Sequence, residues 1–282
     1  MHGEISAHFR HSHGTSRARL PNVASMHTKV DARELETKVK EMYRDVATNP
    51  RGYFHFEMGR ALAERLGYSP ADLDWVPSGA IESFAGVGHF FHLAALQPGE
   101  VVIDLGSGSG MDTFVAALKV GAAGRVLGID MTKEQLAKAE RLRRLHDFRN
   151  VAYLDGYIEE TGLEPDTADC IISNGVINLA PDKARVFKEA ARLLRTGGRL
   201  AIADIVTDQE LPDSVVCSAE LWAACIGGAA QRERYRKMIE RAGFEVRRVQ
   251  ENTEYRFISD SAQGATRKFG VKSVSILAVK SG

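Results

Sequence analysis

Val101-Val-Ile-Asp104-Leu-Gly106-Ser-Gly108-Ser-Gly110 is the stretch that decides how this sequence folds. Val101 to Leu105 is an apolar run too short for a helix and closed by glycines, the pattern of a strand buried on both faces. The glycines allow a tight turn and a close backbone approach to a ligand. A helical pattern from Asp112 to Val120 follows directly, so a helix N-terminus with free N–H groups and positive partial charge faces the turn.

Outward from this unit, strands and helices alternate. Strand Arg125 to Ile129 leads to helix Lys133 to His146, and strands follow at Asn150 to Leu154 and Asp169 to Ser173. Helix Asp182 to Leu194 precedes strand Arg199 to Ile205, and beyond an insert come helix Arg232 to Arg241 and strands Phe244 to Val249 and Ser273 to Val279. Short connections between alternating elements predict an α/β fold: a doubly wound, mostly parallel, seven-stranded Rossmann-like sheet. Upstream, Leu35, Val39, Met42, Tyr43 and Val46 recur at helical spacing behind Asp31, a plausible N-cap. A Pro/Gly break at 49–52, a second helical pattern ending near Gly67 and a third from Ser78 to Leu96 complete an expected helical cap. The expected division is a disordered tail or leader over 1–30, with translation start at Met26 an alternative. A helical cap follows over 31–96, and a core over 97–282 carries a substrate-side insert at 207–229. His2, His8, His11, His13 and His27 lie in the tail, where a metal-binding tract is the sharper alternative.

Composition narrows the function. The 282 residues are 44% hydrophobic and 26% charged, and 37 basic residues balance 37 acidic ones, so no overall positive field gathers nucleic acid or an anionic membrane. Cys170, Cys217 and Cys225 make no disulfide framework and no zinc spacing, and no metal is expected. No apolar run approaches the roughly 20 residues that span a bilayer. A cytoplasmic monomer or homodimer is expected, with a small-molecule partner.

The glycine spacing is Gly-x-Gly-x-Gly with Met111 after it, which fails the Gly-x-Gly-x-x-Gly dinucleotide fingerprint. Asp104 at the mouth of the loop would repel a pyrophosphate but attract the ammonium and sulfonium of S-adenosylmethionine, whose carboxylate can take the helix N-terminus. Asp130, ending Gly128-Ile-Asp130-Met131, is placed to hydrogen-bond both ribose hydroxyls. Either acid could instead be a structural cap. After the third strand, Asp155-Gly156-Tyr157-Ile158-Glu159 offers an apolar wall and polar groups to an adenine, or is a plain loop. Asn174 and Val176 follow the fourth strand on the same carboxyl edge of the sheet.

At this point the residues resemble a known family. Asp104 to Gly110, Val120-Gly121, Gly128-Ile-Asp-Met-Thr132, Ile172-Ser-Asn-Gly-Val-Ile-Asn-Leu179, Pro181-Asp-Lys183, Gly197-Gly-Arg-Leu200 and Cys225-Ile-Gly-Gly-Ala229 look like the arsenite methyltransferases, class I S-adenosylmethionine enzymes. The likeness covers residues 80 to 245 and implies that Gly106, Asp130, Met131, Ile158 and Asn174 line the cofactor site. Members of that family hold As(III) with three thiolates. Their counterparts here read Gly86-Val87-Gly88, Ser173-Asn174-Gly175-Val176 and Cys225, so two of the three thiols are absent. Neither Val nor Gly replaces a sulfur ligand on a soft centre.

The cofactor-site candidates are therefore Asp104, Gly106, Gly108, Gly110, Asp130, Met131, Gly156, Ile158, Glu159, Asn174 and Val176. Catalytic candidates are Cys225 as a substrate thiol, His89 and His55 as groups that lower a nucleophile's pKa, and Trp222 as an aromatic wall beside a sulfonium. Each has a plainer reading as a packing or surface residue. His92, Phe54, Phe56, Phe90 and Phe91 share the same region and the same ambiguity. The expected function is methyl transfer from S-adenosylmethionine to a small thiol, sulfide or other soft nucleophile, under a lid of N-terminal helices that excludes water. The alternatives are arsenite methylation with a reduced cysteine set and a silent cofactor-binding protein; the motifs of base-flipping methyltransferases are absent.

Overall fold

The computed structural model describes residues 31–216, 222 and 226–282. The expected tail over 1–30, Cys217 and Cys225 lie outside the described residues.

Sequence periodicity and structure agree across the sheet. Strands β1 (Val101–Leu105), β2 (Arg125–Asp130), β3 (Val151–Asp155), β4 (Ala168–Asn174) and β5 (Leu194–Thr207) pair in parallel. Strand β6 (Ala230–Gln231) adds two residues beside the end of β5, making eight strands where seven are expected. Strand β8 (Lys272–Lys280) runs antiparallel between β5 and β7 (Phe244–Glu251), giving the order β3-β2-β1-β4-β5-β8-β7. The strand order reverses between β1 and β4, the switch point where ligands bind outside the carboxyl ends of such sheets.

Helices cover both faces because apolar β1 and β4 must be shielded on both sides. One core cluster gathers Leu35, Leu62, Phe84 and Phe114; the other gathers Leu105, Phe187, Tyr235 and Ile239. In chain order the helices are α1 (Ala32–Thr48), α2 (Arg60–Leu66), α3 (Pro70–Leu73), α4 (Ser78–Glu82), α5 (Phe91–Ala94), α6 (Met111–Val120), α7 (Lys133–Leu145), α8 (Lys183–Leu193), α9 (Asp213–Val216), α10 (Arg232–Arg241) and α11 (Asp260–Phe269). Asp31 caps α1 by accepting from the backbone of Arg33 and Glu34. Helix α1 buries Leu35, Val39 and Val46, and α7 holds it by hydrogen bonds from Gln135 to Tyr43 O (2.8 Å) and from Lys138 to Ala47 O (3.2 Å).

The single helix expected over Ser78 to Leu96 is instead two short helices with a loop between them. Gly86 and Gly88 explain the break. A Cβ on Gly86 would stand 2.6 Å from Asn174 Nδ2, and one on Gly88 would stand 2.8 Å from Ala203 Cβ. The amides of Val87 and Gly88 are spent on the Asn174 side chain and are lost to a helix. Helix α11, between Ser259 as cap and left-handed Gly270, has no counterpart in the sequence reading; it buries only Ala262, too thin an apolar stripe to register.

Candidate functional site

A cavity of about 220 Å³ opens at the carboxyl edge of β1 to β4, beneath α1. Ten of the eleven cofactor-site candidates line it: Asp104, Gly106, Gly108, Asp130, Met131, Gly156, Ile158, Glu159, Asn174 and Val176. The eleventh, Gly110, stands just outside, at the N-cap of α6, where φ of +94° and the closeness of Tyr153 to any Cβ leave room for glycine alone.

The glycine loop is shaped by its backbone. The amides of Gly106 and Ser107 both donate to Ile129 O, at 2.8 and 2.9 Å, drawing the loop across to β2. Gly106 has φ of +78°, and Val176 occupies the space its Cβ would need. Asp130 Oδ2 accepts from Gly108 N at 2.9 Å and Oδ1 from Thr132 N at 2.8 Å. Each oxygen keeps a further lone pair for a ligand hydroxyl. Asp104 is 2% exposed and accepts from Thr113 Oγ1 at 2.6 Å. Burial and the neighbouring Asp112 and Asp130 raise its pKa well above the ordinary range.

Three residues that are not among the sequence's site candidates stand in or behind the wall. Tyr68 donates to Asp112 Oδ1 at 2.5 Å, and the Asn174 amide nitrogen stands 3.0 Å from Asp112 Oδ2. Burial pushes the Asp112 carboxyl up to about 6 against the pull of these two donors. Among the described residues the buried Ser107 hydroxyl has no hydrogen-bond partner, and it lines the cavity beside the loop. Asp112 reads from sequence only as the start of a helix, and Tyr68 only as the residue after a helix-ending glycine. Neither signal announces that 44 residues of chain bring them together.

Of the catalytic candidates, His89, His55 and Trp222 lie outside this lining, and Cys225 is not among the described residues. His89 does not line the cavity; it stacks on His92 and packs edge-on to Tyr68 (ring centroids 4.7 Å). Burial and His92 lower its pKa to about 4, so it is a neutral imidazole near pH 7. His55 sits in the loop after α1 with its ring edge-on to Phe56, also outside the cavity lining. Trp222 is buried in a neighbouring depression, donating to Val216 O at 2.7 Å with Lys183 Nζ 4.6 Å from its ring. It belongs to the packing of that flank, consistent with its plainer reading. Phe90 and Phe91 are core residues. Among the described residues no cluster fit for a metal occurs, and no helix is long and apolar enough to cross a membrane.

Around the glycine loop the described lining carries the carboxylates of Asp104 and Asp112, both buried, and of half-buried Asp130, and it has no lysine, arginine or histidine. Such a cavity repels a pyrophosphate and suits a ligand carrying cationic groups, while the orphaned Ser107 hydroxyl awaits a polar partner. This fold and this site define a class I S-adenosylmethionine-dependent methyltransferase. Residues 96–243 match the family described as Methyltransferase domain, and the chain belongs to that family.

Its relatives are informative about chemistry. The arsenite methyltransferase of Halobacterium salinarum is 37% identical over 247 residues, 82% of this chain and 62% of that protein. Across the first three curated relatives, the chain spans 40% to 62% of their length. Among solved structures, an arsenic(III) S-adenosylmethionine methyltransferase from Chlamydomonas reinhardtii is 29% identical with a TM-score of 0.59, covering 80% of this chain and 75% of that one. Geranyl diphosphate C-methyltransferase from Streptomyces coelicolor, solved with S-adenosyl-L-homocysteine, shares the fold at a TM-score of 0.63 and 16% identity, over 89% of this chain and 99% of that one.

Proposed function

We propose that this chain transfers the methyl group of S-adenosylmethionine to a small, soft nucleophile held between the cofactor and the Gly86–Gly88 loop. Trivalent arsenic is its leading acceptor, and Cys225 is the thiolate retained from the family's set. The observation that carries the reading is the acidic, glycine-cradled cavity in a chain whose relatives are named for arsenite methylation. When bound, the cofactor supplies an electrophilic methyl on a sulfonium with a neutral thioether as leaving group.

The chain's own part is binding, orientation and exclusion of water. Asp104 and Asp112 supply negative charge for the ammonium and sulfonium. Asp130 takes ribose hydroxyls with the oxygens' remaining lone pairs, and Ile158 and Gly156 form the adenine wall. The N-terminus of α6 receives the carboxylate. From above, Leu35, Val39 and Tyr43 of α1 close the cavity as a lid, which keeps water from the reacting methyl. In-line attack needs chiefly alignment, and the lone pair of trivalent arsenic forms its bond to carbon as the carbon–sulfur bond breaks, with no proton to remove first.

A second reading, methylation of a thiol or sulfide, rests on one specific contact. A Cβ on Gly175 would stand 3.1 Å from Val87 Cγ1, so the two positions that by resemblance carry thiols in arsenite methyltransferases converge here and carry no sulfur. The deciding experiment offers an isotope-labelled cofactor methyl to arsenite, sulfide, small thiols and a no-acceptor control, read by mass spectrometry. Label on arsenic is the expected result. Label on sulfur alone replaces it with the second reading, and cofactor binding without transfer to any acceptor overturns both in favour of a silent binder.

A further inference from the structure

Asn174 ends β4 on the wall of the cofactor cavity, yet its amide is consumed by the protein. Its Oδ1 accepts from Val87 N (2.8 Å) and Gly88 N (3.3 Å). Its Nδ2 faces Asp112 Oδ2 (3.0 Å), Gly88 O (3.0 Å) and Tyr68 Oη (3.1 Å). The orientation is forced, since the flipped amide would aim oxygen at a carboxylate and a carbonyl and nitrogen at two N–H groups. The Tyr68 proton is committed to Asp112, so the phenol oxygen can share one of the two amide protons of Asn174 with its neighbouring acceptors.

The Val87–Gly88 segment is thus gripped from inside by one side chain. From outside it is held by β8, where Ser273 donates to Val87 O (2.6 Å) and Ser275 to His89 O (3.0 Å). The outer grip rests on strand pairing at the centre of the antiparallel part of the sheet. The inner grip rests on Asp112, which shares the cavity with the cofactor's charged groups.

We propose that Asn174, oriented by Asp112 and Tyr68, is a positioning residue that couples occupation of the cofactor cavity to the placement of the acceptor-side loop. The inference rests on the proposed function in placing the cofactor's cationic groups beside Asp112 and in assigning that loop to the acceptor. Cofactor binding beside Asp112 fixes the Asn174 amide, and the amide fixes the backbone against which the acceptor lies. Bound cofactor therefore tightens the loop, and by linkage a bound acceptor favours the cofactor in return.

The test pairs two readouts on the full chain. Hydrogen exchange of the peptide over Val87 and Gly88 is followed with and without S-adenosylmethionine, for the wild type, Asn174→Ala and the swap Asn174→Asp with Asp112→Asn. In the swap the carboxylate placed at position 174 still accepts the two loop amides and the amide placed at position 112 donates to it, so charge is conserved while the bond to Gly88 O is given up. Acceptor KM and kcat are measured on the same proteins. Cofactor is expected to slow exchange at least fivefold in the wild type and not in Asn174→Ala. The alanine variant is also expected to raise acceptor KM tenfold or more with kcat changed less than threefold, and the swap to recover at least half of the exchange protection. Equal slowing in wild type and Asn174→Ala overturns the coupling, as does a kcat loss without a KM change. The swap keeps the test open if the alanine variant does not fold. Absence of turnover with every acceptor counts against the proposed function alone, because exchange reports the coupling without an acceptor.

Discussion

The two halves of the active edge are built on different principles. On the side of β1 to β3, the ligand wall is mostly backbone: a glycine turn tied to Ile129 O, a helix N-terminus, and carboxylates of which Asp130 is itself clamped by amides. Beyond β4, the wall is made of side chains that meet from distant parts of the chain, with Tyr68, Asp112 and Asn174 holding a loop and Val87 facing Gly175. A wall made of local backbone persists while substrates diverge. A wall made of side chains can be rewritten one residue at a time, and in this chain the two positions that face each other across it, Val87 and Gly175, carry no sulfur.

If the cofactor side depends on backbone shape, the largest effect should come from a single methyl. Gly106→Ala puts a Cβ at φ of +78° against Val176; the free loop shifts to relieve the left-handed strain and the clash, and restoring its shape on binding costs about 3 kcal/mol, roughly a hundredfold in affinity. Calorimetry with S-adenosylmethionine is expected to show that loss in a protein whose thermal midpoint stays within a few degrees. Affinity within threefold of the wild type would break the contrast.

Asp130→Ala comes next. Removing a charged acceptor of ligand hydroxyls is expected to cost about 1.5–3 kcal/mol, ten- to a hundredfold, and unchanged affinity would refute the ribose assignment. The loop amide of Gly108 also loses its acceptor, so an Asp130→Asn variant, which retains one oxygen, should recover part of the loss.

These two tests fall on the half that sequence displays. A strand, three alternate glycines and an acid at the end of the next strand are local patterns, and ten of the eleven cofactor candidates read from them line one cavity. The other half depends on contacts across long stretches of chain. His89, His92 and His55 read as plausible catalytic groups because their distance from the methyl cannot be counted along the sequence; they pack outside the cavity lining. Ser78 to Leu96 reads as one helix because the apolar spacing hides that Gly86 and Gly88 are pressed against β4 and β5. Periodicity reports which face is buried, but not what lies against it.

Val87→Cys with Gly175→Cys would sharpen the comparison from the acceptor side. The paired positions already converge, and two thiols there would add two soft ligands to the one proposed for Cys225. At φ of +71° a cysteine at 175 costs about 1–2 kcal/mol of strain, so the protein should melt lower. Arsenite kcat/KM is nevertheless expected to rise about tenfold with cofactor affinity unchanged, equivalent to ~1.4 kcal/mol. A flat arsenite response would place the acceptor's ligands elsewhere.

The smallest effect is in pH, and it separates a charge on the cavity wall from one outside it. Asp112 has a carboxyl pushed up to about 6, so between pH 7 and 5 it gains a proton and the cavity loses a negative charge. Affinity for the cationic cofactor should fall by up to about tenfold over that interval. Affinity for S-adenosylhomocysteine, which lacks the sulfonium charge, should fall less, and Asp112→Asn should flatten the difference. Stability must not be confused with this limb. A carboxyl raised above its ordinary value makes the folded state bind protons more readily, so Asp112 favours folding as pH falls from about 6 toward 4. His89, lowered to about 4, does the opposite, because the unfolded chain takes up its proton from about pH 6.5 downward. The two contributions oppose each other between pH 4 and 6, whereas cofactor affinity responds to Asp112 because His89 lies outside the cavity lining. A cofactor affinity that followed the thermal midpoint across this range, in wild type and Asp112→Asn alike, would show that the cavity does not discriminate by charge.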